Sequence, residues 1–327
     1  MTGGSTDGSR PLGARATVDV SVVMPCLNEE ASVGLCVQRA WEGLARTGLH
    51  GEIIVCDNGS TDGSVEVAQL AGARVVHQPR RGYGIAYLTG MDEARGWVIV
   101  MGDSDCSYDF LEIDQLVNPL LDGYEYVLGS RFAGAIQPGA MPWLHRYVGN
   151  PVLTGILNHL FGLHTTDAHS GMRAFTRDGY RRMNLRSEGM ELASEIVIAG
   201  ARSGLRIIEV PITYHPRVGA SKLHPWRDGW RHLRFMLGEA RRQPDGEGPA
   251  TGLAGTAAPE PVELARAAGG DHRAHRSPAE IGARRLELRT GAAGGDEHQH
   301  QPHRNGAPLT SPGGSRYPEP LGGLPSS

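Results

Sequence analysis

Trp97-Val-Ile-Val-Met-Gly-Asp103-Ser-Asp105 is the stretch from which the rest of the chain can be read. Apolar residues bounded by Gly96 and Gly102 have the length and composition of a short strand buried on both faces. Two carboxylates one residue apart stand where that strand ends. In an open parallel sheet, ligands bind just beyond the carboxyl ends of the strands. Hard oxygen donors at such a place suit Mg²⁺ or Mn²⁺, shared between carboxylates and a substrate's phosphates. Asp-x-Asp is also a common solvated turn, so its meaning depends on its neighbours.

On the N-terminal side the same unit repeats. Val18 to Met24 is expected as a strand closed by Pro25. Glu29 and Glu30 suit the first turn of a helix whose face is Val33, Val37, Ala40 and Leu44. Glu52 to Cys56 is a second buried strand, followed by a turn and a helix that Gly72 ends. Arg74 to His77 is a third strand and Ile85 to Ala94 a helix, so the acid pair follows the fourth strand. Beyond it, a helix over Leu111–Leu121 and a strand over Tyr124–Leu128 continue the pattern. Short buried strands alternating with helices predict an α/β fold with a mainly parallel sheet flanked by helices.

After Gly129 the pattern loosens. Met141 to Leu163 is rich in aromatic and aliphatic residues and is broken by Pro142 and Pro151. Leu192 to Ala201 is a helix and Arg206 to Tyr214 a late strand. Trp226, Trp230, Leu233 and Leu237 recur at helical spacing, with Arg227, Arg231 and Arg234 on another face, the pattern of a basic amphipathic helix. From Gly238 the chain turns to Gly, Ala, Pro, Arg and polar residues, which cannot bury enough apolar surface to offset chain entropy. The organisation expected is a disordered leader over 1–17, one folded domain over 18–237 and a disordered tail over 238–327.

Composition narrows the function. A net charge of −4 gives no whole-chain attraction to nucleic acid. The 4 cysteines lack C-x-x-C spacing and read as reduced thiols. No apolar run is long enough to cross a bilayer. Met24-Pro-Cys-Leu-Asn-Glu29 stands where a dinucleotide fold needs G-x-G-x-x-G, and no P-loop is present. Gly82 and Gly84 open a helix after the third strand. They present backbone N–H groups to a phosphate, or they make a tight packing turn.

The ordered series VVMPCLNEE, IIVCDNGSTDGS, RGYGIAYLTGM, VIVMGDSD, LGSRF, TDAHSGMRAF and PITYHPRVGASKL resembles glycosyltransferase family 2 over nearly all of 18–237. Within it the chain looks most like the dolichyl-phosphate mannosyltransferase and polyprenyl-phosphate glucosyltransferase branch. The resemblance implies a GT-A fold, a nucleotide-diphosphate-sugar donor carrying UDP or GDP, Mg²⁺ or Mn²⁺, and inversion at the anomeric carbon. Pro25, Asn28 and Glu29 match a signature that lies against the nucleoside, and Asp57 matches the acid that binds the base. Asn58 replaces a second acid often found there. Asp103 and Asp105 match the metal pair, with Asp105 the firmer ligand and Asp103 shared with the ribose. Ser107 stands where relatives often carry Gln, so water, the diphosphate or Asp109 completes the shell.

Arg131, Arg217, Ser221 and Lys222 match positions used near phosphates. They suit a cationic clamp around an incoming acceptor phosphate and a leaving diphosphate. Glu191 and Glu195 are i,i+4 neighbours, available as a base if the acceptor is a hydroxyl. The Glu-Asp pair and Gln-x-x-Arg-Trp of hydroxyl-acceptor relatives are absent, which favours a polyprenyl phosphate. A transferase acting on a sugar hydroxyl and a non-catalytic nucleotide-sugar-binding protein are the other readings. A lipid acceptor implies a cytoplasmic enzyme, peripheral on the cytoplasmic face of the membrane, with Met141–Leu163 and the basic helix as contacts. Packing of Trp226 and Trp230 back onto the domain is the other use of that helix. Relatives with the late motif commonly continue into transmembrane helices, so the tail after Gly238 is read as a frameshifted or degenerate remnant of an anchor. Cys26, Cys56 and Cys106 read first as buried small hydrophobes, with a place at the border of the donor pocket as the other reading.

Overall fold

Aliphatic runs bounded by glycine, proline or charge form the strands of a single sheet. The computed structural model describes residues 18–219, 225–242 and 265–266. β1 (Val20–Cys26), β2 (Gly51–Asp57), β3 (Arg74–His77) and β4 (Val98–Met101) alternate with α1 (Val33–Thr47), α2 (Ser64–Leu70) and α3 (Tyr83–Asp92). Then come α4 (Ile113–Leu121), β5 (Tyr126–Ile136), α5 (Asn150–Phe161), β6 (Arg173–Thr176), α6 (Arg177–Met183), α7 (Leu192–Arg202), β7 (Ile207–Tyr214), α8 (Pro225–Arg241) and the short β8 (Ala265–Arg266).

The sheet order is β3-β2-β1-β4-β6-β5-β7-β8. β6 is antiparallel to both β4 and β5, and every other pair is parallel. The mainly parallel α/β architecture expected from the alternation is therefore present. One consequence matters for the site. Every strand but β6 ends on one edge, and β6 begins there, so the Thr166–Met172 loop arrives beside the acid pair. Neither β6 nor α6 stands out in the sequence. The four residues of β6 begin with Arg173, fully buried because its guanidinium reaches the carbonyls of Ala168, Ser170 and Ala193 at 2.8, 2.8 and 2.9 Å.

Alternation along β4 explains the two-sided core. Val98 and Val100 pack with α1 and α4, whereas Ile99 and Met101 pack with α3 and α7. β5 extends past Leu128 to Ile136, and its register with β7 shifts between Ser130 and Ala135. Such irregularities bend a strand and re-aim its side chains, and Arg131 stands in this one.

Met141–Leu163 contains one π-helical turn, His145–Gly149, running directly into α5. Helix α8 buries His232 and Met236 against α5 and α7, while Trp230 and Leu237 remain exposed. The stripe singled out from spacing is therefore the outer face at Trp230, and packing back onto the domain fails there. α8 also passes Gly238 and ends at Arg241, because Arg202 of α7 pairs with Glu239 at 2.6 Å. Within the predicted tail, 238–241 continue α8 and 265–266 add an edge to β7. The leader, the remaining tail, Ser221 and Lys222 lie outside the described residues, as do the side chains of Trp226 and Arg227.

Candidate active site

The loops after β1 and β2 are tied together by short polar side chains. Asn28, in a left-handed turn (φ 52), accepts from Thr61 N at 2.8 Å and donates its backbone N–H to Ser60 at 3.0 Å. Glu29 N donates to Ser64 Oγ at 2.8 Å. Pro25 is the penultimate residue of β1, and its carbonyl accepts from Ser104 Oγ at 2.6 Å, joining this wall to the acid pair. Asp57 is buried and accepts from Gly59 N and Ser60 N at 3.2 and 2.9 Å, with His77 Nδ1 at 3.3 Å. Burial raises its carboxyl, but Ser60, His77 and Gly59 outweigh this and hold it below the usual range. Asn58 donates to the carbonyls of Gln78 and Arg80 at 2.9 and 2.7 Å and accepts from Gly82 N at 2.8 Å. A carboxylate cannot make those two donations, which accounts for the amide at that position.

Gly82 and Gly84 serve close packing. A Cβ on Gly84 would stand 2.2 Å from the carbonyl oxygen of Ser187, and one on Gly82 2.5 Å from that of Glu188. The Ile85 N–H at this helix start is taken by the Glu188 carbonyl at 3.0 Å. The expected phosphate cradle is thus filled from behind by residues 187–189.

The acid pair is held by different neighbours. Tyr83 and Tyr87 donate their hydroxyls to Asp103 Oδ1 at 3.0 and 2.9 Å, and Oδ2 has no partner among the described residues. Burial and the adjacent Asp105 charge push the Asp103 carboxyl up to about 6 against those hydrogen bonds and Arg217. Asp105 Oδ1 accepts from the Ser107 backbone N–H at 2.9 Å and from its hydroxyl, while Oδ2 pairs with Arg217 Nη2 at 2.7 Å. Ser107 therefore orients Asp105 instead of standing in for a third ligand. Asp109 is also diverted, capping the turn at Leu111. Among the described residues no three His, Cys, Asp or Glu groups converge on one point. The pair nevertheless fits a hard divalent cation whose other ligands come from diphosphate and water. Gly171 keeps the space beside Asp103 Oδ2 open, since a Cβ there would lie 3.0 Å away.

Beyond the pair lies the acceptor-side wall. Arg131 is buried and bound bidentately to Asp167, Nε–Oδ2 2.7 Å and Nη2–Oδ1 2.8 Å, with its guanidinium over the Tyr214 ring. Burial alone would lower its pKa, but the Asp167 charge holds the proton firmly on. Arg217 Nε is buried without a partner among the described residues. Both arginines line a cavity of about 630 Å³ whose other walls are mostly apolar, including Met141, Leu144, Val148, Ile156, Trp230 and Leu233. Val152 and Trp230 of its lining are exposed, as are Trp143 and Tyr147, sequence neighbours of its lining residues. Glu191 is not brought to the pair: it binds Arg231 of α8 at 3.0 Å. Glu195 accepts from Arg186 N and Ser187 N at 2.9 and 2.7 Å. The cysteines are buried, and Cys106 faces Cys36 of α1 with sulfurs 3.5 Å apart. Sequence reasoning passed over Tyr83 and Tyr87, although their i,i+4 spacing within the third motif was visible.

A mainly parallel sheet, an acid pair beyond its fourth strand and a cavity alongside define a GT-A glycosyltransferase domain. The profile of glycosyl transferase family 2 matches residues 21–183. The chain is 47% identical over 219 residues to the low-salt glycan biosynthesis hexosyltransferase Agl6 of Haloferax volcanii, covering 67% of this chain and 53% of Agl6, about half its length. It is 33% identical over 214 residues to the dolichyl-phosphate hexose transferase of the same organism, covering 64% of this chain and 89% of that one. Identity to the polyprenol monophosphomannose synthase of Mycolicibacterium smegmatis is 30% over 230 residues, 66% and 85% of the two chains. The chain belongs to glycosyl transferase family 2, in the branch that holds this dolichyl-phosphate hexose transferase and polyprenol monophosphomannose synthase. Among solved structures it is similar to Mycobacterium tuberculosis glucosyl-3-phosphoglycerate synthase in complex with Mn²⁺, UDP and glucosyl-3-phosphoglycerate. That likeness has TM-score 0.54 and 26% identity, and covers 71% of this chain and 83% of that one.

Proposed function

We propose that this chain transfers a hexose from a UDP- or GDP-sugar to a polyprenyl phosphate, with inversion. The observation that carries the proposal is the apolar cavity that has Arg217 and the exposed Trp230 among its lining residues. A lipid phosphate needs apolar walls for its chain and fixed positive charge for its head.

The donor's nucleoside lies against Pro25, Asn28, Glu29 and Asp57, and its diphosphate reaches Asp103 and Asp105. Those two acids would hold Mg²⁺ or Mn²⁺, which would supply charge neutralisation to the leaving diphosphate. Arg217, joined to Asp105 and lining the cavity, holds the acceptor phosphate, with Lys222, close by in the sequence, as a second cation. Arg131, neutralised by Asp167, shapes the wall and fixes Tyr214. The acceptor oxygen is ionised at neutral pH and attacks C1 without a general base. A hydroxyl acceptor would need one, and Glu191 is engaged with Arg231. Exposed apolar residues beside the cavity, with Arg231 and Arg234 on α8, favour peripheral attachment to an anionic membrane surface. Among the described residues no helix is long and apolar enough to cross a membrane.

Radiolabelled UDP- and GDP-hexoses are offered with polyprenyl phosphate and Mg²⁺. Label should move to the organic phase. Transfer only to a water-soluble hydroxyl acceptor such as phosphoglycerate would refute the lipid assignment.

A further inference from the structure

The third motif carries more than a packing turn. Tyr83 and Tyr87 stand one helical turn apart on α3 with rings edge to face, centroids 5.0 Å apart. Tyr87 is fully buried, whereas Tyr83 is half-buried and lines the cavity. Both hydroxyls donate to the same atom, Asp103 Oδ1, at 3.0 and 2.9 Å. A carboxylate oxygen has two lone-pair sites, so Oδ1 is saturated. Among the described residues Oδ2 is left without a partner, beside the space that Gly171 keeps clear.

The depth at which α3 seats is set by the glycines. Gly82 and Gly84 press against the carbonyls of residues 187–189 at distances that admit no Cβ. That contact brings both hydroxyls within hydrogen-bond reach of one carboxylate oxygen. The G-Y-G-x-x-Y spacing is thereby a single device, with glycines to seat the helix and tyrosines to grip the acid.

We propose that Tyr83 and Tyr87 are positioning residues that fix Asp103 as a single-oxygen ligand, presenting only Oδ2 to the divalent cation. The inference rests on the metal assignment of Asp103 and Asp105. With either hydroxyl gone, the carboxylate can rotate and the ordered oxygen is lost from the binding geometry. Groups that orient a metal ligand typically contribute about 10- to 100-fold in metal affinity.

The test is a Mn²⁺ titration of the full chain followed by electron paramagnetic resonance, with UDP and with GDP. It compares wild type, Tyr83→Phe, Tyr87→Phe and Asp103→Asn, with a thermal melt of each. Both Phe variants should bind Mn²⁺ about tenfold more weakly or worse, with Asp103→Asn weaker still. Phe variants that keep wild-type Mn²⁺ affinity, while Asp103→Asn loses it, overturn the inference and leave the metal assignment standing. If wild type binds no Mn²⁺, or Asp103→Asn binds it unchanged, both fall. Should Tyr87→Phe fail to fold, the half-buried Tyr83→Phe decides alone.

Discussion

Replacing Arg217 by alanine should move two measurements in opposite directions. Arg217 Nη2 lies 2.7 Å from Asp105 Oδ2, with side-chain exposures of 28% and 9%. With charge centres about 4 Å apart, the attraction at an effective dielectric near 20 is about 4 kcal/mol. Solvation of the partly exposed guanidinium cuts this to the net worth of a charged hydrogen bond, about 1.5–3 kcal/mol. A cation that uses Asp105 Oδ2 must displace that bond. Its removal should therefore tighten nucleotide-free Mn²⁺ binding about ten- to a hundredfold. Transfer to polyprenyl phosphate should fall about 10²- to 10³-fold, the usual loss on deleting a charge-stabilising donor. Calorimetry reads the first quantity and organic-phase extraction of labelled product the second. Weaker Mn²⁺ binding would show that the arginine shapes the metal site instead of competing for it. Undiminished transfer would remove it from the phosphate clamp.

Other outcomes follow from the same contacts. Asn58→Asp leaves the Gln78 and Arg80 carbonyls without their donor and should cost about 1–3 kcal/mol in urea denaturation. Arg131→Ala strands the fully buried Asp167 and should cost about 3–5 kcal/mol; adding Asp167→Ala should recover part of it, measured the same way. Trp143→Ser with Trp230→Ser should weaken sedimentation with anionic vesicles by at least about tenfold, from lost burial of apolar area, while Mn²⁺ affinity stays unchanged.

Much of the donor half was legible because its information is local. A strand, a turn residue and an acid adjacent in sequence remain adjacent in space when all strands end on one edge. Asp57 at the end of β2 and the pair after β4 are found by that rule, and both stand where the alternation puts them. The acceptor half depends on contacts far apart in the chain. Arg131 reads as a free cation in LGSRF, yet Asp167, beyond the whole of α5, neutralises it. Glu191 reads as a base on one helix, yet Arg231 of another helix claims it. Both corrections arise from β6, whose antiparallel insertion turns the Thr166–Met172 loop inward, and from α8, which closes over α7.

The same contrast explains the glycines. A glycine-rich helix start suits either a phosphate or a neighbouring backbone, and composition alone leaves both open. The choice is made by what occupies the space a Cβ would take, and here that is the carbonyl wall of residues 187–189. That wall is continuous with the start of α7, which also supplies Ala193 to the cavity and Ser194 to the His232 contact with α8. Seating α3 against this wall fixes two things together: the tyrosines that hold Asp103 and the inner surface of the cavity. A substitution that lifts α3, such as Gly84→Ala, should therefore impair the metal pair and the acceptor wall as one unit. Its Cβ meets a backbone oxygen at 2.2 Å, so helix and wall must part, and a helix that moves takes both hydroxyls away from Asp103.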